Sequence, residues 1–573
     1  MYRDLYEEWL GSDKLKPVER QELDLIKDDE NEIEDRFGKD LEFGTAGMRG
    51  IIGMGTNMMN VYTVKRASQG LAEYIKKRGA VAKLRGVAIS FDTRRFSREF
   101  AAAAAVVLAS NRIKVYIFEH VHPVPMLSFA VRELNCVAGI MITASHNPKE
   151  YNGYKVYGED GAQMSPENTA KVVKYIDKIK SPLSDEIQYS KKAVKYVKFI
   201  GKKLDNAYYK KIKQLVLSPE ETEREGKDIK LVYTPVHGSG YVPVTAILKK
   251  LGIKASIVKE QAVEDPDFST VELPNPEYKE TLSLAISQAN AEGADVVFGT
   301  DPDCDRLGVA VRNGAGEFVA LTGNQTGVLL LDYILGRLKA RGELSRKSFV
   351  VKSFVTTSLA KLIADRYKVE MIEVPVGFKY IGEKIKKLDD TGKRRFVFGF
   401  EESCGYLRGT HARDKDAVVA SMLFAEMVCY YTAHGINVYD RLQSIYEDYG
   451  YVCDKSVSTT YGGLNAMRDM NAVVDGMRKK KIKKIGGVKI IATRDYSSLK
   501  RTEGSTVTKI NSSPVNALYY ELAGGGFICL RPSGTEPKLK TYYSVTGKDE
   551  STAEATFKAV KDEFESFLKD ADV

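Results

Sequence analysis

Short runs of β-branched residues alternate with helical segments along most of the chain, and this alternation limits the fold more than any other feature. Strands are predicted over Val87–Phe91 and Val115–Phe118, with a helix over Ser97–Ser110 between them. Farther along, Leu231–Tyr233 predicts a strand and Val242–Leu251 a helix. Because strands that alternate with helices pack as layers around a mostly parallel sheet, we predict an α/β protein.

The last part of the chain has a different pattern. Val488–Thr493, Phe527–Leu530 and Thr541–Val545 predict strands of a smaller sheet, and Thr552–Leu568 predicts a helix that backs it. We therefore expect a separate C-terminal α+β domain.

The length of 573 residues exceeds what one hydrophobic core needs, and at about 150 residues per domain it predicts about four domains. Polar or glycine-rich breaks lie near Ser181–Glu186, Arg312–Gly316 and Tyr449–Tyr461. We place domain boundaries near these breaks, which gives domains over residues 1–205, 206–318, 319–448 and 449–573.

Polar clusters follow four of the predicted strands directly. Val137–Ile142 leads into Thr143, Val296–Gly299 into Asp301, Phe396–Phe400 into Glu401, and Phe527–Leu530 into Arg531. In α/β sheets, ligands bind beyond the carboxyl ends of the strands. Four such clusters spread over the chain predict four domains that face one shared cleft.

The first cluster is Thr143-Ala144-Ser145-His146-Asn147-Pro148, followed shortly by Lys155. A serine at a strand-to-loop turn presents its hydroxyl to a ligand, and His146 and Lys155 stabilise anionic charge beside it. Taken alone, the motif is equally typical of a plain turn or helix cap. A hydrolase triad is disfavoured, because no Gly-x-Ser-x-Gly elbow surrounds Ser145.

The second cluster, Asp301-Pro302-Asp303-Cys304-Asp305-Arg306, places three carboxylates at alternate positions of a tight loop. Their oxygens can converge on one hard cation. An EF-hand is excluded, because its sixth and twelfth loop positions need glycine and glutamate, and this chain has Arg306 and Arg312 there. Acidic turn residues that cap backbone amides are the alternative, but three unpaired carboxylates this close repel one another. Arg306 also suits a phosphate that bridges metal and guanidinium.

The remaining two clusters offer groups for a sugar and a phosphate. Gly399–Gly405 contains Glu401 and Ser403, which suit vicinal hydroxyls, although a solvated loop is an equally good interpretation of the segment downstream of it. Arg531–Lys538 combines a guanidinium, two hydroxyls and a Gly-containing turn whose amides can bind phosphate. An ordinary turn remains the alternative for this segment.

In combination, these motifs resemble those of the α-D-phosphohexomutase superfamily, which contains phosphoglucomutases and phosphomannomutases. Four match in the family's order: the phosphoserine loop at Thr143–Pro148, the metal loop at Asp301–Arg306, the sugar loop at Gly399–Gly405 and the phosphate loop at Arg531–Lys538. Glu42–Gly50 is similar to the family's first active-site loop, with Arg49 in the position of its cleft arginine. The resemblance covers nearly the whole chain.

The resemblance implies a heart-shaped protein of three similar α/β domains and a smaller C-terminal α+β domain around a central cleft. Ser145 would carry the phosphate, and Mg²⁺ would be bound by Ser145 together with Asp301, Asp303 and Asp305. The reaction would pass through glucose 1,6-bisphosphate, which is both intermediate and activator. The implied catalytic residues are Ser145, His146, Lys155, Arg49 and Lys415. The implied substrate-binding residues are Arg306, Lys379, Glu401, Ser403, Arg531, Ser533, Gly534 and Thr535.

The chain departs from the family pattern at one position. Some members have a histidine two residues after the sugar-loop serine, where this chain has Gly405. Lys415 resembles the lysine that other phosphoglucomutases carry nearby, and we expect it to act as a proton carrier or phosphate ligand. Lys379 and His237 resemble cleft residues, but a hydrogen-bonded structural role is equally compatible with either.

The sugar motif bears on the substrate, which we expect to be a small hexose phosphate, with glucose 1-phosphate and glucose 6-phosphate interconverted. Glu401-Glu402-Ser403 is closer to the glucose-handling members than to those with Met between acid and serine. Gly44–Gly50 also resembles a branch with phosphopentomutases and a glucose-1,6-bisphosphate synthase, so a ribose phosphate substrate stays open. A phosphomannomutase or phosphopentomutase is the alternative within the enzyme class. A phosphatase and a catalytically silent sugar-phosphate sensor are the alternatives from other classes.

The composition indicates an ordinary soluble protein, with 43% hydrophobic and 28% charged residues. The net charge of +9 is small for this length and does not indicate a nucleic-acid partner. The cysteines show no paired spacing, and the acidic segment Met1–Glu8 is not a signal peptide. Because Ala101–Ala109, the longest apolar run, is too short to span a bilayer, we expect a cytoplasmic protein without membrane contact. No sequence feature predicts the oligomeric state.

Overall fold

The strands of the protein form four sheets that follow one another along the chain. This architecture is taken from a computed structural model, which describes residues 2–44, 47–462, 465–533 and 538–570.

The first sheet has six strands in the order β1-β5-β4-β2-β3-β6. Its strands are β1 (Gly47–Ile51), β2 (Val87–Phe91), β3 (Val115–Phe118), β4 (Ala138–Ile142), β5 (Tyr151–Gly158) and β6 (Val197–Ile200). The helices of this part are α1 (Tyr2–Leu10), α2 (Pro17–Asp24), α3 (Glu30–Phe37), α4 (Val61–Lys77), α5 (Ala80–Arg85), α6 (Ser97–Ser110), α7 (Val124–Glu133) and α8 (Pro166–Ile176). Strand β4 is parallel to β2 and antiparallel to β5.

The second sheet has five strands in the order β11-β10-β9-β7-β8. Its strands are β7 (Leu231–Thr234), β8 (Ala255–Ile257), β9 (Val296–Thr300), β10 (Leu307–Arg312) and β11 (Phe318–Leu321). The accompanying helices are α9 (Lys202–Lys213), α10 (Pro219–Glu225), α11 (Tyr241–Lys250) and α12 (Ser283–Glu292).

The third sheet has four strands in the order β13-β12-β14-β15. Its strands are β12 (Ser348–Ser353), β13 (Glu370–Val374), β14 (Arg395–Glu401) and β15 (Gly405–Leu407). The accompanying helices are α13 (Gly323–Ala340), α14 (Leu359–Arg366), α15 (Phe378–Leu388), α16 (Ala417–Ala433) and α17 (Val438–Tyr449).

The fourth sheet is antiparallel at every described strand pair. Its strands are β16 (Tyr451–Thr460), β17 (Lys484–Ile485), β18 (Val488–Asp495), β19 (Lys500–Glu503), β20 (Thr506–Lys509), β21 (Leu518–Leu522), β22 (Phe527–Pro532) and β23 (Lys538–Gly547). Helices α18 (Ala466–Lys479) and α19 (Glu550–Lys569) accompany it. The predicted division into three α/β domains and a different C-terminal domain is therefore confirmed. The expectation that the C-terminal sheet is smaller is wrong, because its eight described strands outnumber those of each other sheet.

The first three sheets share one continuous hydrophobic core, which includes Leu127, Phe298 and Phe398. The fourth sheet packs around a core of its own, with Tyr520 and Phe564 among its members. Three polar clusters therefore sit on sheets that share one core, and the fourth sits on a sheet with its own core that meets the third sheet around Phe354 and Tyr496.

Helix α16 lies within the shared core and is buried on all sides over most of its length. Its N-cap is Asp416, whose side chain accepts a hydrogen bond from the Val419 amide at 2.9 Å. The cap fixes the backbone directly after Lys415, so this lysine is positioned by a buried helix start.

Two of the predicted breaks have a different structure. The segment Tyr449–Tyr461 is not a break, because most of it forms strand β16, which pairs with β23. Only Val452 and Cys453 of β16 are buried, so its polar residues reflect an exposed edge strand. The turn in Arg312–Gly316 connects β10 to β11 within the second sheet.

Among the described residues, no single helix is long and apolar enough to cross a membrane. Helices α16 and α17, which meet at an angle of 87°, satisfy length and composition only when taken together.

Candidate active site

The loop between β4 and β5 presents Ser145 at the edge of the first sheet. Ser145 has a φ of 54°, a left-handed conformation that is costly for a residue with a side chain. Its amide donates a hydrogen bond to Oγ1 of Thr143 at 2.8 Å, and its side chain is almost fully buried. The predicted turn is thus a constrained loop that aims one hydroxyl inward.

The guanidinium of Arg94 binds the backbone of this loop. Its Nη2 donates to the carbonyl of Ser145 at 2.6 Å and also to the carbonyl of Asn147. Its Nη1 donates to the carbonyls of Pro148 at 2.8 Å and Tyr151 at 3.0 Å. One buried guanidinium therefore binds four carbonyls of the loop, which fixes where the Ser145 hydroxyl points.

The metal loop follows β9 and lies directly against Ser145. Oγ of Ser145 donates to Oδ2 of Asp301 at 3.0 Å. Oδ1 of Asp301 accepts the amides of Asp305 and Arg306, both at 3.0 Å, which closes the loop into a tight turn. The two motifs, 156 residues apart in sequence, are in contact as predicted.

Two lysines each form a salt bridge with one aspartate of the metal loop. Nζ of Lys155 lies 2.9 Å from Oδ2 of Asp303, and Nζ of Lys415 lies 3.0 Å from Oδ2 of Asp305. Burial opposes the charge of each lysine, but the neighbouring carboxylates outweigh it and raise the pKa of both. Both lysines are therefore charged at neutral pH.

The three aspartates are crowded and buried. Burial and the neighbouring carboxylates raise the pKa of Asp301 and Asp305. Burial also disfavours the charge of Asp303, but Lys155 prevails and holds the pKa of that carboxyl below its usual range. Such a cluster is stabilised by added positive charge.

The residues fit a hard divalent cation. One oxygen from each of Asp301, Asp303 and Asp305 lies within 4.8 Å of the others. Oδ1 of Asp303 and Oδ1 of Asp305 are buried, and neither has a hydrogen-bond partner within the described ranges. Buried carboxylate oxygens without a partner are costly unless a cation binds them, so this loop is a metal-binding candidate.

His146 and Arg306 border the same group. Nδ1 of His146 lies 3.1 Å from Oγ of Ser145. Burial, reinforced by Arg306, holds the pKa of His146 well below its usual value, so the ring is neutral at pH 7. Arg306 pairs with Glu277 through Nη1, and its Nε is buried without a hydrogen-bond partner among the described residues.

The sugar loop lies beside the metal loop, because Arg306 forms a β-bridge with Gly405. Oε1 of Glu401 accepts the Gly377 amide at 2.6 Å, and burial followed by repulsion from Glu402 raises the pKa of Glu401 to about 7. At neutral pH, Glu401 therefore exists in both forms and can accept from or donate to a hydroxyl. Ser403 lies in the turn between β14 and β15.

Lys379 lies in the first turn of α15, two residues after the amide that binds Glu401. Its Nζ is 5.0 Å from the centre of the Tyr380 ring, and burial lowers its pKa. Among the described residues, no hydrogen bond or salt bridge joins Lys379 to the metal loop, so its role rests on its place beside the sugar loop.

The phosphate loop is described in part. Arg531 lies at the end of β22. Burial raises the pKa of Tyr542 of β23 and of Tyr380 of α15, and the positive charge of Arg531 opposes this rise in both. The amide of Ser533 donates to the carbonyl of Lys538 at 2.8 Å. Gly534 and Thr535 lie outside the described residues. The described part of the loop therefore approaches the helix that carries Lys379.

Two other predicted residues have defined environments. Arg49 lies on β1, and its Nη1 donates to Oδ1 of Asn147 in the serine loop at 3.0 Å. The ring nitrogens of His237 lie 3.1 Å from the Val263 carbonyl and 2.7 Å from Oγ1 of Thr270. The structural alternative for His237 is thus favoured, since both nitrogens are occupied by the neighbouring loop.

Sequence models of the phosphoglucomutase/phosphomannomutase family match three parts of this chain. Alpha/beta/alpha domain I matches residues 40–183, domain II residues 206–314 and domain III residues 322–449. The chain belongs to this family. The expectation from the motifs is confirmed, and the chain is a mutase-type enzyme by family.

Phosphoglucomutases are among its relatives in this family. That of Staphylococcus aureus (strain USA300) is 38% identical over 541 residues, which cover 93% of this chain and 95% of the relative. That of Staphylococcus haemolyticus (strain JCSC1435) is 38% identical over 516 residues, covering 89% of this chain and 91% of the relative.

Solved structures share the fold. A putative phosphomannomutase from Thermus thermophilus superposes with a TM-score of 0.69 at 21% identity, covering 93% of this chain and 99% of that one. The phosphoglucomutase pp63/parafusin from Paramecium, in an open form, superposes with a TM-score of 0.66 at 17% identity, covering 93% and 95%.

The sequence interpretation missed two residues of the site, Arg94 and Glu277. Arg94 stands in Asp92-Thr93-Arg94, directly after strand β2. That is the same signal of polar residues after an apolar strand that identified the four other clusters. Glu277 precedes a short 3-10 turn, and no local pattern connects it with Arg306.

Proposed function

We propose that this chain is a phosphoglucomutase that interconverts glucose 1-phosphate and glucose 6-phosphate by way of a phosphoserine at Ser145. The contact that carries the proposal is the 3.0 Å hydrogen bond between Oγ of Ser145 and Oδ2 of Asp301. It joins the candidate phosphoryl carrier to a carboxylate cluster in which two buried oxygens have no hydrogen-bond partner among the described residues.

Asp301, Asp303 and Asp305 would hold Mg²⁺ together with the phosphate on Ser145. When bound, the ion would neutralise charge on the phosphoryl group. The chain's own residues add to this, because Lys155 is charged and Arg306 lies beside the same loop. Phosphoryl transfer depends mainly on such positioning and charge stabilisation.

The reaction consists of two phosphoryl transfers at Ser145, which carries the phosphate at the start. The P–O bond to Ser145 breaks while a P–O bond to the free sugar hydroxyl forms, and the hydroxyl loses its proton as the serine oxygen gains one. Glucose 1,6-bisphosphate results, and its other phosphate returns to Ser145 in the second exchange. Atoms and protons balance over the two steps.

The charge of Lys415 favours one of its two predicted roles. A lysine held protonated by Asp305 and Asp414 is a poor general base at neutral pH. We therefore assign Lys415 to charge stabilisation beside the transferring group. His146 is neutral, so it hydrogen-bonds Ser145 without adding charge.

The remaining assignments concern the sugar and its second phosphate. Glu401 and Ser403 would bind vicinal hydroxyls, with Lys379 beside them, and Arg49 would add positive charge beside the serine loop that it contacts through Asn147. Arg531, Ser533, Gly534 and Thr535 would bind the phosphate that is not being transferred. We retain the domain boundaries at residues 205/206 and 448/449 and move the one expected at 318/319 to follow Leu321, because β11 belongs to the second sheet. We also retain a cytoplasmic location, which six buried cysteines without disulfides support.

The test is a substrate panel of glucose, mannose and ribose 1-phosphates, each with a trace of the matching bisphosphate. We expect the highest kcat/KM with glucose 1-phosphate. Faster turnover of mannose or ribose phosphate would identify a phosphomannomutase or phosphopentomutase instead. Steady release of inorganic phosphate without isomerisation would identify a phosphatase, and no turnover at all a sugar-phosphate sensor.

Ser145→Ala serves as the control in each assay. The variant should fold and lose mutase turnover, because the hydroxyl carries the phosphoryl group. Mass spectrometry of the wild-type protein should find phosphate on Ser145. Substantial isomerisation by the alanine variant would end the phosphoserine proposal.

A further inference from the structure

A groove outside the catalytic cleft contains a buried arginine whose charge is not neutralised by a salt bridge. The groove has a volume of 370 Å³ and lies between α9 and the end of the third sheet where β14 begins. Its walls include Leu215, Arg395 and Arg408. This volume falls in the range of small-molecule sites.

The groove is separate from the site already described. Strand β14 begins at Arg395, which lines the groove, and ends at Glu401 in the sugar loop. Seven residues of strand span roughly 20 Å at about 3.3 Å per residue. The two sites therefore lie at opposite ends of the same strand.

Arg408 is the central group of the groove. Its side chain is 7% exposed, and its Nε donates one long hydrogen bond of 3.4 Å to the Leu215 carbonyl. Within the described ranges, neither Nη atom donates a hydrogen bond and no carboxylate forms a salt bridge with this guanidinium. Burial lowers the pKa of Arg408 to about 10. Neither Nη atom is among the fully buried atoms that lack a partner in the described residues, so both reach the space of the groove, where an anion can bind them.

The nearest acids do not neutralise it. Glu426 accepts the amides of Leu217 and Ser218 through Oε1. The carboxylate of Glu343 already pairs with Arg341 at 2.7 Å and with Arg395 at 3.4 Å. Both acids act on Arg408 only at longer range.

The charged walls of the groove are mostly basic. The ionisable side chains that line it, apart from His411, are Lys211, Asp389, Arg395 and Arg408. Asp389 accepts the Phe396 amide at 2.9 Å, and Nε2 of His411 lies 2.8 Å from Oδ2 of Asp416. The excess of positive charge therefore faces the open space.

We propose that this groove is a second anion-binding site, in which Arg408 binds the phosphate group of a small molecule with Arg395 and Lys211 at the rim. A guanidinium presents paired N–H donors that match phosphate oxygens, and a desolvated pocket strengthens such hydrogen bonds. The remaining volume accommodates a short carbon chain or a sugar.

The test is calorimetric titration with inorganic phosphate in the Arg531→Ala background, which weakens phosphate binding in the catalytic cleft. We expect one remaining phosphate site, with affinity at least about tenfold lower when Arg408→Gln is added. Arg394→Gln is the matched control, because Arg394 is adjacent in sequence to Arg395 but pairs with Glu370. Unchanged affinity in the Arg408 variant, or an equal loss with Arg394→Gln, overturns the proposal.

Thermal unfolding provides a second readout in otherwise wild-type protein. Phosphate should raise the Tm of the wild type more than that of Arg408→Gln, because the ligand binds the folded state. Without phosphate, Arg408→Gln should be no less stable and should retain mutase activity. If that variant does not fold, Arg395→Gln and Lys211→Gln at the rim replace it, and unchanged phosphate affinity in both contradicts the site.

A comparison of ligands identifies the source of the anion. Glycerol 3-phosphate that binds more tightly than inorganic phosphate would indicate an ester ligand, and equal affinity would indicate recognition of the phosphate group alone. Binding of neither compound overturns the proposal.

Discussion

At the scale of single residues, the three loop aspartates divide their oxygens between two tasks. Oδ2 of Asp303 and Oδ2 of Asp305 each pair with a lysine, whereas Oδ1 of each is buried without a hydrogen-bond partner among the described residues. Asp301 gives Oδ2 to Ser145 and Oδ1 to two amides. The metal loop thus binds two lysines and Ser145, and it keeps two carboxylate oxygens that can accept a metal cation.

Asp303→Asn tests this division, because the amide keeps the shape and removes the charge. We expect activity to fall roughly a hundredfold at limiting Mg²⁺, with little change in Tm. Chelation should silence the wild type reversibly. Activity assays across a magnesium titration measure the effect, and full wild-type activity in excess chelator would remove the metal from the mechanism.

A second residue-scale prediction concerns Glu426, which is buried in the shared core. Burial raises its pKa to about 7 from an ordinary 4.5, although the amides of Leu217 and Ser218 oppose the shift. Between these pH values the folded state binds more protons than the unfolded state. Stability therefore falls as pH rises from about 4.5 to about 7, by roughly 3 kcal/mol, and stays lower above that range.

Glu426→Gln removes this titration, so its stability should be flatter over the same range. Thermal unfolding between pH 5 and pH 8 should show the wild type losing more Tm than the variant. Exposed Glu447→Gln is the control and should follow the wild type. Parallel curves for Glu426→Gln and wild type would contradict the raised pKa.

At the scale of elements, the serine loop is built by a residue from a different strand end. Arg94 follows β2, and its guanidinium binds four carbonyls of the loop after β4. The parallel pairing of β2 with β4 brings the two strand ends to one edge of the sheet. Arg94 is therefore a positioning residue for Ser145.

Arg94→Lys should disturb the loop, because one ammonium cannot span four carbonyls. We expect kcat to fall by about ten- to a hundredfold with a smaller change in KM, since misplacement of the nucleophile acts on the transfer step. Arg95→Lys is the matched control, because Arg95 is half-exposed and pairs with Asp267. Equal losses in both variants, or slowing without a change in the rate of Ser145 phosphorylation, would contradict the positioning role.

The strands and motifs could be predicted because each depends on local pattern. Apolar runs bounded by polar turns located β2, β4, β9 and β22. The edge strand β16 was missed, since exposure on both faces removes the alternation that marks a strand. Two further features could not be predicted, namely the salt bridge of Arg306 with Glu277 and the absence of a salt bridge at Arg408 among the described residues. Both depend on tertiary packing that no local pattern encodes.

At the scale of the whole molecule, the fourth sheet has its own core and meets the third sheet in a second buried cluster, which includes Phe354, Tyr519 and Phe527. Phe354 stacks on Tyr496 with ring centres 4.3 Å apart. Beside them, Nη1 of Arg494 lies 2.9 Å from Oε2 of Glu373. The position of Arg531 relative to Ser145 therefore depends on this interface as well as on the shared core, to which Val452 of β16 belongs.

The two half-reactions present opposite ends of the sugar to Ser145, so the sugar must bind in two opposite orientations. Arg531 must then bind a 6-phosphate in one orientation and a 1-phosphate in the other. Arg531→Ala should lower kcat/KM in both directions by roughly ten- to a hundredfold, the value of a lost charge-assisted contact of about 1.5–3 kcal/mol. It should also release more labelled bisphosphate, because the intermediate must stay bound while it turns.

Lys540→Ala is the matched control for Arg531→Ala. Lys540 pairs with Arg531 across β22 and β23, and its side chain is exposed. If the distal phosphate is recognised by Arg531 and not by a general positive field, the Lys540 variant should keep near wild-type kcat/KM and retain its bisphosphate. A loss confined to one direction in Arg531→Ala would show instead that the two phosphates use different sites on the fourth sheet.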